Sequence, residues 1–323
     1  MPGGVTRVAD SSVFGLRRGG VDTSRCGRSG ASMGFASYEE ACAKVRELCV
    51  DRLGEHIGTQ VAALARPAFG LRPVKPGTQP AGHCRWGGPA LLSPGTPWPE
   101  YDGIPLSLFA VLDVEALGPW AADERPPNGD RLLNVFYCDP DPRRGYVDDG
   151  SLQRSDDPRY CRVIPADPAS AVEVTAPPPA SLHPAQPFYG VPVITLPSAC
   201  GVDYDPVLDT LDYGGETDGS IYYESLPGWL VSDRFGEAWS EFCSKEQGLY
   251  QYDDVFFSPD QAFGWPHLEG HFPLQELSDG EPYRHIITIG QYLGDGGYVH
   301  FVLPARAFRE GDYSRTVAFL ECF

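Results

Sequence analysis

Long apolar runs are missing from this chain of 323 residues. Its most apolar stretches, Leu106 to Leu112 and Ile286 to Ile289, fall far short of the roughly 18 residues that a membrane-spanning helix needs, so no membrane partner is expected. Positive charge is also scarce. Lys and Arg number 25 against 44 Asp and Glu, a formal net charge of −19, and a surface this acidic repels nucleic acid and anionic lipid alike. No C-x-x-C pair occurs among the nine cysteines, whose number is odd; scattered thiols of this kind fit a reducing cytoplasm.

Motifs that would announce chemistry are lacking too. There is no G-x-S-x-G elbow for a nucleophile. Gly294-Asp295-Gly296-Gly297 has neither the lysine nor the following helix of a phosphate loop, and reads as a hairpin turn. His267 and His271 stand at a spacing that binds zinc on a helix, but Pro266, Gly270 and Pro273 oppose a helix there, so a loop with solvated histidines is expected. The acidic run from Asp139 to Pro158 contains no twelve-residue calcium loop and carries interleaved arginines, as a charged surface loop does. No metal, no cofactor and no catalytic set is expected from these residues.

What is present is a succession of short elements. Ser37-Tyr38-Glu39-Glu40 is a capping box, and Tyr38, Ala41, Cys42, Val45, Leu48 and Cys49, then Ile57, Val61 and Leu64, recur at three- and four-residue steps. The spacing predicts one or two amphipathic helices between about 37 and 66, with Pro67 as the stop. From 82 to 200, apolar runs separated by Pro, Gly and Asp predict strands, the best being Leu106 to Val114 and Arg131 to Tyr137, followed by Tyr160 to Ile164, Val172 to Val174 and Val191 to Leu196. Phe235, Ala238, Trp239 and Phe242 place another helix at about 233 to 246, and strands return at Tyr283 to Ile289, Gly297 to Leu303 and Thr316 to Cys322. The fold class expected is α+β, mainly antiparallel sheet with a few packed helices. Leu106 to Val114 with Arg131 to Tyr137 echoes Tyr283 to Ile289 with Gly297 to Leu303; a duplication giving two similar halves explains the echo, although two hairpin-like pairs also arise by chance.

The stretch from Arg85 to Pro99 combines a glycine pair, four prolines and two tryptophans, which together fix a backbone path and offer large area for burial. It resembles the signature of the YwqG-like family, a bacterial domain of unknown function. Similar to that family are also Arg66-Pro67-Ala68-Phe69, Phe263-Gly264-Trp265-Pro266 with Gln275 downstream, and Gln291 with Gly294 to Phe301, in the same order along the chain. Two positions depart from the pattern. Phe109 to Asp113 lacks the glutamine that closes the corresponding strand in the family, and Leu293 replaces the tryptophan before Gly-Asp.

The residues singled out for a ligand cleft or an interface are Arg85, Trp86, Trp98, Gln275, Gln291 and Asp295, since aromatic, amide and carboxylate groups suit either. The ordinary alternative is that both tryptophans are core, the glutamines bond backbone amides and Asp295 shapes its turn. The function expected is a non-catalytic cytoplasmic module that binds an unknown protein or a small polar ligand. The alternative is an enzyme of unrecognised type, such as a hydrolase with a polar cleft.

Residues 1 to 32 carry five Arg against two Asp, with Gly and Ser but no apolar periodicity, and are expected to form a disordered extension before a single bilobed domain over 33 to 323. The only methionines are Met1 and Met33, which suggests translation from Met33. Protein from the native host should then show the intact mass of a chain starting there, and a mass that includes residues 1 to 32 refutes this start.

Overall fold

A computed structural model describes residues 35, 37–80, 82–124, 126, 132–147, 160–197, 211–212, 233–247, 260–266, 268, 281–290 and 297–321. Helix α1 (Tyr38–Leu53) begins as its capping box dictates, with Ser37 Oγ accepting from the Glu40 amide at 3.1 Å. Gly54, at a positive φ of 83°, ends α1 and starts α2 (Glu55–Ala63). Helix α3 (Asp233–Lys245) lies where the aromatic stripe predicted it. Ala41, Val45, Cys49, Val61, Phe235 and Phe242 from these helices pack on Ile194 and Leu196.

The strands are β1 (Arg66–Pro73), β2 (Arg85–Trp86), β3 (Ala90–Leu92), β4 (Glu100–Tyr101), β5 (Ile104–Pro105), β6 (Ser107–Asp113), β7 (Leu132–Tyr137), β8 (Cys161–Ala166), β9 (Val172–Val174), β10 (Gln186–Thr195), β11 (Gln261–Ala262), β12 (Tyr283–Ile289), β13 (Tyr298–Pro304) and β14 (Val317–Glu321). A short fourth helix, α4 (Ala305–Glu310), follows β13 directly. Ten strands form one antiparallel sheet in the order β14-β13-β12-β11-β1-β10-β2-β6-β7-β8. The sheet curls almost into a barrel: Cys161, on the outermost β8, donates its thiol to the Thr316 carbonyl at 3.4 Å, one residue before the other outermost strand. Tyr137 and Phe301 meet edge to face across it at 6.2 Å. Closing a sheet in this way covers strand edges that would otherwise pair with other chains.

Two parts of the sheet went unseen in the sequence. Strand β1 begins at Arg66 and passes straight through Pro67, the residue expected only to stop a helix. Strand β10 starts at Gln186, before the predicted Val191, and the two pair over eight positions from Arg66↔Thr195 to Pro73↔Phe188. Neither strand alternates cleanly, because β1 is buried at every position from Pro67 to Leu71, and a strand buried on both faces has no period of two to read.

Flanking this central pair, two short strands are placed alike. Strand β2 bridges β10 and β6, while β11 bridges β1 and β12. Each is followed by two successive residues at positive φ, Gly87 (55°) and Gly88 (78°) in one case and Phe263 (61°) and Gly264 (69°) in the other. The next strand pairs each carry one register shift, between Leu108 and Ala110 and between His285 and Ile287.

Gly87 is required twice over. Its φ disfavours any side chain, and a Cβ would sit 2.7 Å from the carbonyl oxygens of His183 and Pro184. Gly87→Ala should cost at least about 3 kcal/mol in chemical denaturation, and an unchanged midpoint refutes this account of the turn.

Candidate functional site

Arg85 and Trp86 are neighbours on β2, opposite Val111 and Ala110. The Arg85 guanidinium donates to the carbonyls of His83 at 3.3 Å and Pro89 at 2.5 Å, which fastens the turn after the strand. Burial lowers its pKa, against the pull of Glu173. Trp86 is 2% exposed, its ring centroid 4.6 Å from that of Phe188. Trp98 donates its indole N–H to the Leu106 carbonyl at 2.8 Å and meets Phe136 edge to face. Gln275, Gln291 and Asp295 lie outside the described residues, as do His267 and His271. One contact leads toward Gln291: the amide of Gly290, its predecessor, donates to Asp260 Oδ1 at 2.8 Å. The Asp260 carboxyl is pushed up to about 6 by burial. Gly290, the Trp86 indole and Arg72 pull the other way, the indole from outside full hydrogen-bond geometry.

A chain of buried polar groups runs through the other side of the sheet. His285 Nδ1 lies 3.0 Å from the Phe263 carbonyl and His285 Nε2 2.9 Å from Thr288 Oγ1; Thr288 Oγ1 is 2.9 Å from His300 Nδ1, and His300 Nε2 3.2 Å from Glu321 Oε2. Regular alternation would turn His285 and Thr288 to opposite faces, since they are three residues apart. The register shift at Ile286 inserts one extra residue and brings them together. Thr288 is paired directly with His300, whereas Glu321 stands diagonally, opposite Tyr298.

Donors and acceptors in this chain are fixed by one end. A carbonyl only accepts, so His285 Nδ1 carries its proton, and burial lowers the His285 pKa to about 3, leaving Nε2 without one. Thr288 then donates to His285 and accepts from His300 Nδ1. Closing the last contact needs one more proton, held between His300 Nε2 and Glu321 Oε2. None of the four side chains is accessible, with exposures of 1%, 2%, 0% and 4% in chain order, and His300 stacks on Phe319 at 4.8 Å. The arrangement has the parts of an acid–base relay but is sealed inside the sheet.

Solvent does reach a second feature. A concavity of about 440 Å³ at the start of β12 is lined by four arginines, Arg66, Arg284, Arg306 and Arg309, together with Glu281 and Tyr283. The Arg66 guanidinium sits over the Trp265 indole, its carbon 3.4 Å from the ring centroid. The buried Glu124 accepts from Arg284 at 2.9 and 3.2 Å and stands 3.9 Å from Arg66 Nε. Arg306 pairs with Glu310 at 2.9 Å. Trp265, on which Arg66 rests, also meets Tyr283 edge to face at 6.1 Å and donates to the Leu64 carbonyl at 2.7 Å.

These two constellations escaped the sequence reading. A local signal existed for the first: His285 and His300 interrupt otherwise apolar strand runs, and a polar residue at a core position marks a specific partner. For the arginines there was none, because Arg66, Arg284 and the α4 pair are far apart in sequence. Among the described residues no group of three or more His, Cys, Asp or Glu side chains is placed to hold a metal ion, and no helix is long and apolar enough to cross a membrane.

The fold and these sites define an α+β protein built on one nearly closed antiparallel sheet. The chain belongs to the family described as a domain of unknown function, DUF1963, whose model matches residues 84–322 and to which the YwqG-like family is commonly linked. That range begins after α1, α2 and β1, so Arg66 to Phe69 precede it. No curated protein matches the chain.

The histidine chain sets a pH response. With its folded pKa near 3, below the usual 6.5, His285 binds its proton in the unfolded state first. Its contribution to stability is therefore complete above about pH 6.5 and lost as pH falls toward 3, at up to about 1.4 kcal/mol per pH unit. Asp260 works oppositely, its raised pKa making the folded state lose stability as pH rises from about 4 to 6. His285→Gln should lower the denaturation midpoint at pH 7 and flatten its fall between pH 6.5 and 4; an unaltered slope refutes the assignment.

Proposed function

We propose that the protein is a non-catalytic cytoplasmic binding module whose polar ligand sits in the arginine-lined concavity. One observation carries this reading: four guanidinium groups converge on an open hollow in a chain of net charge −19. Cations gathered against the sign of the whole molecule, two of them held by one buried carboxylate, are preorganised for a partner. The acid–base groups of the histidine chain, by contrast, are paired where no substrate reaches them, and catalysis needs such groups within hydrogen-bond reach of the reacting atoms. The competing reading, an enzyme such as a hydrolase, is favoured by the His300–Glu321 pair, which resembles the histidine–carboxylate pairs of acid–base sites.

The ten-stranded sheet, within a single bilobed domain over 33 to 323, is read as two similar halves. Matching registers support this. Arg85↔Val111 and Trp86↔Ala110 correspond to Gln261↔Thr288 and Ala262↔Ile287, and both following pairs shift register at the same place. By this correspondence Leu108, Val111 and Asn134 stand where His285, Thr288 and His300 do. The polar chain is then a property of one half and is not demanded by the sheet. Arg85, Trp86 and Trp98, with Gln275, Gln291 and Asp295, are proposed as a second border for ligand, supported by the Trp86–Asp260–Gly290 contacts.

Screening polar metabolites by thermal shift should find a ligand that raises the melting temperature and is recovered chemically unchanged. Hydrogen exchange should then show protection at 281–285 and 305–309. Protection at 85–98 instead would move the site to the second border, and consumption of the ligand would replace the binding module by an enzyme.

A further inference from the structure

We infer that Asp260 and Trp86 form a second ligand site, separate from the arginine-lined concavity, for a neutral hydroxyl group of an alcohol or polyol. Asp260 Oδ2 accepts from the hydroxyl, and the Trp86 indole N–H donates to it. Both atoms are buried, and neither has a partner in hydrogen-bond geometry among the described residues. They lie close enough for the indole to act on the carboxyl, whose other oxygen, Oδ1, is already taken by the Gly290 amide at 2.8 Å. Asp260 as a whole is half-buried, so this pair of enclosed atoms stands next to solvent.

The fold contains its own control for this position. By the matched registers, Cys84 stands one residue before Arg85 as Asp260 stands one before Gln261, and Asp113 corresponds to Gly290. Backbone contacts agree: the Leu71 amide donates to the Asp260 carbonyl at 2.7 Å, and the Phe188 amide to the Cys84 carbonyl at 3.2 Å. Side chains agree as well, since Cys84 Sγ accepts from the Asp113 amide at 3.2 Å where Asp260 Oδ1 accepts from Gly290. One acceptor is all that the sheet uses here, and a thiol supplies it. The second carboxylate oxygen exceeds that need, as does the indole N–H standing where the other half has Ala262, and buried polar atoms without partners are costly to keep. Their chemistry selects the guest. The carboxylate repels an anion, while a cation meets the field of Arg72 and leaves the indole N–H unmatched. No group of His, Cys, Asp and Glu suited to a metal ion occurs among the described residues. A hydroxyl donates and accepts through one oxygen and so answers both atoms.

Nuclear magnetic resonance of the full chain with isotope-labelled tryptophan tests this, the Trp86 indole signal being assigned by its loss in Trp86→Phe. Glycerol should shift that signal saturably, whereas ethylammonium and acetate at one ionic strength should not. Asp260→Cys, which keeps the one acceptor used at the matched place, should retain the circular dichroism spectrum and weaken glycerol about tenfold. Asp260→Asn, which keeps an acceptor for Gly290 and turns the second oxygen into a donor, should weaken it likewise. A glycerol titration that leaves the indole signal unmoved overturns the ligand site, and a cross-peak from the indole to water then identifies the guest as water. A shift that persists at full affinity in both variants, or an Asp260→Cys chain that fails to fold, overturns the role of the second oxygen. The concavity stands or falls separately, because none of its lining residues enters this measurement.

Discussion

Eight consecutive pairings between β1 and β10, from Arg66↔Thr195 to Pro73↔Phe188, are the constraint on which the remaining structure depends. These strands are more than a hundred residues apart in sequence, so their pairing closes a long loop, and the entropy lost must be recovered by everything built outward from them. On one side come β2, β6, β7 and β8; on the other, β11, β12, β13 and β14. The three amphipathic helices pack on Ile194 and Leu196 near the end of β10. Trp120 ties the two layers together by donating to the Val193 carbonyl at 2.9 Å while touching both cores.

Two kinds of polar burden are added to that sheet and handled differently. Inside, His285, Thr288, His300 and Glu321 satisfy one another in sequence from the Phe263 carbonyl, and the extra residue at Ile286 makes the alignment possible. A half-satisfied version of such a network would cost more than an apolar core. At the surface, Arg66 rests on Trp265, Arg284 on Glu124 and Arg306 on Glu310, around the hollow that Arg309 also lines. The histidine chain lies on β12, β13 and β14, whereas the arginines come from β1, β12 and α4; Trp265 and Tyr283 pack in one small core with Phe319, the ring on which His300 stacks.

Much of the fold was legible. The capping box gave the start of α1, the aromatic stripe gave α3, and Tyr283 to Ile289 and Val172 to Val174 are strands over the residues expected. Those elements carry a period or a cap that acts within a few residues. Strand β1 and the two-residue strands β2 and β11 were not seen, since each is too short or too fully buried to alternate. The Arg85 to Pro99 stretch was read as a fixed backbone path, and its first two residues are themselves a rung of the sheet, between β10 and β6. Of the site residues, Arg85, Trp86 and Trp98 proved to be fastened to carbonyls or rings, while the buried histidines and the arginine cluster depend on partners that spacing cannot reveal.

Taken alone, the sequence determined the helices, the longer strands, the acidic balance and the family, because caps, periodicity, charge count and fixed Gly-Pro-Trp spacings are local or additive properties. Only the tertiary structure decided that β1 meets β10, that a one-residue shift turns His285 toward Thr288, and that four arginines from distant segments share one hollow. Register and convergence are non-local: they follow from which strands pair and by how many residues they slide, and no window of sequence contains that choice.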